Sequence, residues 1–124
     1  MSVLHYNRIP EVPQIVIRGE AWGFSGRLTT RTGSTSWPGH SLQLEVWPAY
    51  GGPGPDAPIY LAEPGEITFN TSTGAFQITI PASKTALWSL RRARYVLRLV
   101  GPDGPRTILR GQLDIQDRKG ERNV

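Results

Sequence analysis

The residues with most chemistry to offer are few and scattered. His5 and His40 are the two histidines, and neither has a second ligand at a metal-site spacing. Cysteine is absent, which excludes a disulfide framework, a thiolate metal site, an iron–sulfur cluster, a c-type haem attachment and a cysteine nucleophile. There is no Gly-x-Ser-x-Gly elbow, no His-Glu-x-x-His and no arguable Ser/His/Asp set. The Gly-rich run from Gly51 to Gly54 lacks the Gly-Lys-Ser/Thr ending of a phosphate loop and precedes no helical pattern, so it reads as a loop. Glu45, Glu63, Glu66, Asp103 and Asp114 could form a glycosidase pair by residue type, but almost any domain offers as many carboxylates. No catalytic residue, metal ligand or cofactor is expected, and the chain is expected not to be an enzyme.

Binding chemistry is better represented. Lys+Arg number 14 against 10 Asp+Glu, a net charge of +4, and all the basic residues but Lys84 and Lys119 are arginine. A planar guanidinium serves bidentate and stacked contacts better than an ammonium does, so the bias favours a protein interface or an anionic partner. Trp37, Trp47 and Tyr50 fall in or beside loops and could stack on a sugar. Asn70-Thr71-Ser72 is formally a glycosylation acceptor, but its place between two strand patterns makes it turn chemistry.

These residues must be held by a single domain, since the chain has 124 residues. Gly 14 and Pro 11 argue for many turns and against long helices. No apolar stretch approaches the length of a membrane span, and Met1 to Arg8 shows no secretory pattern, so a protein without a leader or a span is expected. Residues 1–14, with Pro10 and Pro13, read as an extended arm; residues 15–116 read as the folded domain, and 117–124 as a basic tail.

Short strands are predicted at Ile15 to Ile17, Ala21 to Thr29 and Ser41 to Trp47, the last with Leu42, Leu44 and Val46 on one face. Pro48 to Pro58 cannot continue it. Glu66 to Phe69 and Ala75 to Ile80 form a hairpin in which Phe69 faces Phe76 and Ile67 faces Ile78. Ala82 to Leu90 allows a helical turn or two, with Leu87 and Leu90 spaced to cap one end of a core. Arg94 to Val100 and Pro105 to Ile115 form a second hairpin through Gly101-Pro102-Asp103-Gly104. Setting Val100 opposite Arg106 puts Leu97 on Leu109 and Tyr95 on Gly111 inside. Outside it sets Val96 and Ile108 among Arg94, Arg98, Arg106 and Arg110. The expected fold is all-β: an antiparallel immunoglobulin-like β-sandwich of about seven strands, one short helical turn and extended termini, with Tyr95 as a tyrosine corner.

The succession Arg18-Gly19-Glu20-Ala21-Trp22, Leu42-Gln43-Leu44-Glu45-Val46, Gly65-Glu66-Ile67-Thr68 and Ile78-Thr79-Ile80-Pro81-Ala82 continues with Arg94-Tyr95-Val96-Leu97-Arg98-Leu99 and Leu109-Arg110-Gly111-Gln112-Leu113. This layout, over about residues 15 to 116, resembles small β-sandwich structural proteins encoded among the head and tail genes of tailed bacteriophages. Trp88-Ser89-Leu90-Arg91-Arg92 stands where that family more often has a small turn, and Pro48 to Pro58 is longer than usual. The resemblance implies a virion structural protein, in the tail, baseplate, fibre attachment or capsid decoration, assembled in the host cytoplasm and acting by protein–protein docking. Its partners would be other virion proteins and further copies of itself.

The expected contact surface is Arg94, Val96, Arg98, Arg106, Ile108 and Arg110, together with the termini. The alternatives are a carbohydrate-binding module that uses Trp37, Trp47 or Tyr50 on a host glycan, and a nucleic-acid-binding β domain. The latter is disfavoured because Phe69, Phe76 and Tyr95 fall on the buried parity.

Overall fold

The computed structural model describes residues 10–30, 32–49 and 57–117. They form eight strands: β1 (Gln14–Ile17), β2 (Trp22–Arg27), β3 (Ser41–Pro48), β4 (Tyr60–Leu61), β5 (Ile67–Phe69), β6 (Ala75–Ile80), β7 (Arg92–Gly101) and β8 (Gly104–Gln116). A 3-10 turn at Pro64–Glu66 and one helical turn, α1 (Ala82–Thr85), complete the elements. The strands make two sheets in the orders β1-β8-β7-β3-β4 and β2-β6-β5, which face each other as a sandwich. The arm's first nine residues, the loop from Tyr50 to Asp56 and the tail beyond Asp117 lie outside the described residues.

The sequence pattern explains the layers directly. On β3, Leu42, Leu44 and Val46 are buried while Ser41 and Gln43 are exposed. The β5–β6 hairpin has the expected register, Ile67 on Ile78 and Phe69 on Phe76. Asn70 closes it, its Oδ1 accepting from the Ser72 and Thr73 amides at 2.9 and 3.2 Å. Between the sheets Trp22 meets Tyr95 at 5.9 Å and Trp88 at 6.2 Å, and Phe24 meets Phe76 at 6.2 Å, an aromatic core of tilted and edge-on rings.

Four expectations need correction. β1 pairs parallel with β8, so the arm is not wholly free: Val12 donates to the Arg110 carbonyl at 2.9 Å, and Arg110 donates to that of Pro10 at 3.2 Å. Leu87 does not cap the core. The helical turn ends at Thr85, the 3.6-residue spacing does not reach Leu87, and Trp88 (4% exposed) is buried while Leu87 is 78% exposed. Tyr95 is no tyrosine corner, because its hydroxyl reaches under Gly111 and donates to the Val12 carbonyl at 2.5 Å. Last, a register shift follows Leu97 in the β7–β8 hairpin. Leu97 lies on Leu109 as predicted, but Arg98 lies on Thr107 and Leu99 on Arg106, which leaves Ile108 as the extra residue.

Candidate docking face

The bulge decides which side chains reach the outer face of the five-stranded sheet. Ile108 turns inward and joins the core at 4% exposure, so it does not stand among the arginines. Arg106, opposite Leu99, lines a cleft with His40 and Asp103 at one end of the sheet rather than belonging to that face. What remains outside is a set of cross-strand rows. One runs Glu11, Arg110, Val96, Glu45, Leu61; its neighbours are Gln112, Arg94, Trp47 and Thr107, Arg98, Gln43.

Each arginine in these rows has a partner. Arg98 Nε lies 3.3 Å from Glu45 Oε1, and its Nη1 donates to Thr107 Oγ1 at 3.1 Å. Trp47 Nε1 donates to the same Glu45 oxygen at 2.9 Å. Arg94 sits over the Trp47 ring at 5.4 Å and donates from Nε to the Pro48 carbonyl at 3.0 Å. Arg110 pairs with Glu11 of the arm at 3.6 Å. Val96 lies at the centre by register and is only 8% exposed, consistent with long arginine stems covering apolar surface. Two clefts adjoin here, one of about 290 Å³ lined by Glu11, Val96, Arg110 and Gln112, the other of about 420 Å³ lined by Pro13, Ile15, Ala49 and Arg92.

Gly111 and Tyr95 seat the arm beside this face. A Cβ on Gly111 would lie 2.0 Å from the Val12 carbonyl oxygen and 3.0 Å from the Tyr95 ring, so only glycine lets arm and ring approach. Burial pushes the Tyr95 hydroxyl pKa up and keeps it a donor. At the opposite edge Tyr60 of β4 donates to Glu66 Oε1 at 2.5 Å, and Lys84 pairs with Glu63. Burial, and then the bond to Glu66, push the Tyr60 pKa up to about 12. The Glu63 bond raises that of Lys84.

Where β1 ends, Arg18 locks the fold. It donates to the Trp88 and Leu90 carbonyls at 2.7 and 3.0 Å and pairs with Asp117, closing a cleft of about 430 Å³ that Arg91 and Arg92 also line.

Of the sugar-stacking aromatics, Trp37 and Trp47 are described, and each is engaged by its own neighbours. Trp37 donates from Nε1 to the Leu28 carbonyl at 3.0 Å, meets His40 edge-on at 5.5 Å and packs against the core, so it closes one end of the sandwich. Trp47 is covered on one face by Arg94, and Tyr50 lies outside the described residues. Among the described residues no three His, Asp or Glu side chains group as a metal site, and no helix is long and apolar enough to cross a membrane.

Sequence reading missed the carboxylates that hold the arginines. Glu45 was legible, being the outward residue of β3 between Gln43 and Trp47; Glu11 was not, because nothing in a Pro-flanked arm announces parallel pairing to β8. No protein-family model matches the chain, and no curated protein matches it.

Proposed function

We propose that this chain is a non-enzymatic docking domain of a phage-like particle, a tail, baseplate, fibre-attachment or head-decoration component. In this reading it binds neighbouring virion proteins, and further copies of itself, through the outer face and edges of its five-stranded sheet. The observation that carries the reading is the ordered guanidinium array around Val96. Arg94, Arg98 and Arg110 are held by Trp47, Glu45 and Glu11, which sets three guanidinium groups on one face of the sheet. Side chains already immobilised lose little further freedom when a partner binds, and arginine and tryptophan are among the residues most enriched at contact hot spots. The resemblance of the strand and turn succession to phage structural sandwiches supplies the particle and, with it, assembly in a host cytoplasm.

The test is mass spectrometry of density-purified particles from the source culture. The expected result is this chain at a fixed copy ratio to the major capsid protein, the ratio separating a tail-tip component from a capsid-wide one. Its absence from clean particles would overturn the virion reading.

A further inference from the structure

The free edge of β1 carries a pattern that only a few partners can match. Even-numbered residues of the arm and strand bond to β8: Val12 donates to Arg110, Arg18 donates to Gln116, and Pro10 accepts from Arg110. By the alternation of a strand, Pro13, Ile15 and Ile17 turn their backbone groups away from the sheet, where no described strand lies. Two of those groups are already spent or missing. The Ile17 carbonyl accepts from the Glu20 amide at 2.9 Å, and Pro13 has no amide hydrogen. Among the described residues, what is left without a partner is the Ile15 amide and carbonyl, the Ile17 amide and the Pro13 carbonyl.

That set is self-complementary. We infer that β1 pairs antiparallel with β1 of a second copy across a two-fold axis at Ile15, joining two five-stranded sheets into one of ten strands. The two Ile15 residues exchange both of their hydrogen bonds, and each Ile17 amide donates to the other copy's Pro13 carbonyl. The one bond this register would otherwise lack is the one that neither Pro13 nor the occupied Ile17 carbonyl can make. A two-fold contact demands that each edge match itself, and this edge does. The strand also lacks the usual protections, since Gln14-Ile15-Val16-Ile17 has no charge, no bulge and no covering element among the described residues. Ile15 stands on the outer face at 60% exposure, and the pairing sets it directly against its counterpart. The inference deepens the docking reading by naming one partner, a second copy, and one edge.

The native chain has no cysteine, so Ile15→Cys places a single thiol on the proposed axis. Residues exchanging both bonds in an antiparallel pair have Cα atoms about 5.5 Å apart, within disulfide range. The full-length variant is expected to oxidise to a dimer, linked by a disulfide between the two introduced thiols, at least tenfold faster than Gln77→Cys, whose side chain is exposed on the other sheet. In the unmodified sequence, sedimentation is expected to show a dimer that Ile15→Lys weakens at least tenfold with its circular dichroism unchanged. Equal oxidation rates for the two cysteine variants, a native chain still monomeric at about 1 mM, or a dimer untouched by Ile15→Lys would overturn the pairing. A monomer found in stoichiometric amounts in particles sinks the pairing alone, whereas a dimer absent from particles sinks only the virion reading.

Discussion

The two sheets turn different chemistry outward. The large sheet presents Arg94, Arg98, Arg110, Glu45, Glu11 and Trp47, long side chains tied across strands. The small sheet presents Gly23, Ser25, Gln77, Thr79 and Thr68, short and uncharged, with Arg27 as a single charge at one end of β2, around a shallow depression of about 610 Å³. Both inner faces are apolar, so folding alone does not call for the contrast. The difference is a charged cross-strand network on one face that the other lacks, and it is this network on which the docking proposal rests.

The comparison can be broken most severely at Gly111. Gly111→Ala drives its Cβ into the Val12 carbonyl and the Tyr95 ring, so it is expected to cost about 1–3 kcal/mol by urea unfolding and to unseat the arm from β8. A neutral result would mean that the arm is not part of the large sheet. Next is charge. Arg98→Glu sets a carboxylate beside Glu45 and is expected to cost about 1 kcal/mol, whereas Gln77→Glu on the small sheet should stay within about 0.5 kcal/mol. Equal effects would erase the distinction between the faces.

The register shift is where legibility ended. From Arg92 to Leu97 the β7–β8 pairing follows alternation and the aromatic Tyr95 over Gly111, both visible as residue types. A bulge depends on how the turn and the core settle together, and no residue type from Arg106 to Ile108 announces it. Ile108 therefore reads as outward by parity and is inward in fact. Glycines mark turns and phenylalanines mark hairpin register, so the strands and both hairpins could be read. Parallel pairing of the arm could not, because it rests on contacts between residues about a hundred positions apart. Arg94, Arg98 and Arg110 were legible as one outward group, Arg106 was wrongly read with them, and the carboxylate from the arm that fixes Arg110 was not legible.

Alkali sharpens the comparison from the edges of the large sheet. Tyr60 and Tyr95 tie its two edges, and the small sheet has no tyrosine. Both hydroxyls have raised pKa values in the folded state, so the folded chain holds its phenol protons more tightly than the unfolded chain does. Their contribution is fully present below the ordinary tyrosine value of about 10 and is lost as pH rises towards about 12, the Tyr60 value. Ultraviolet titration should show late ionisation of Tyr60 and Tyr95, with Tyr60→Phe removing one late step and flattening the alkaline loss of stability. Ionisation of all four at an ordinary pH would contradict the ties. Among the large-sheet variants the smallest effect is expected from Trp47→Leu, which removes the Arg94 stacking and the indole bond to Glu45 and should cost about 0.5–1 kcal/mol with the sheet intact.

The central claim of the docking proposal is that the face with the arginine–carboxylate network, and not the opposite one, meets the particle. The direct measurement is incorporation of two folded variants into particles in competition with the native chain: Arg94→Glu with Arg110→Glu on the large sheet, and Gln77→Glu with Thr79→Glu on the small one. The account predicts loss of the first from particles and normal uptake of the second. Normal uptake of the first with loss of the second would contradict it.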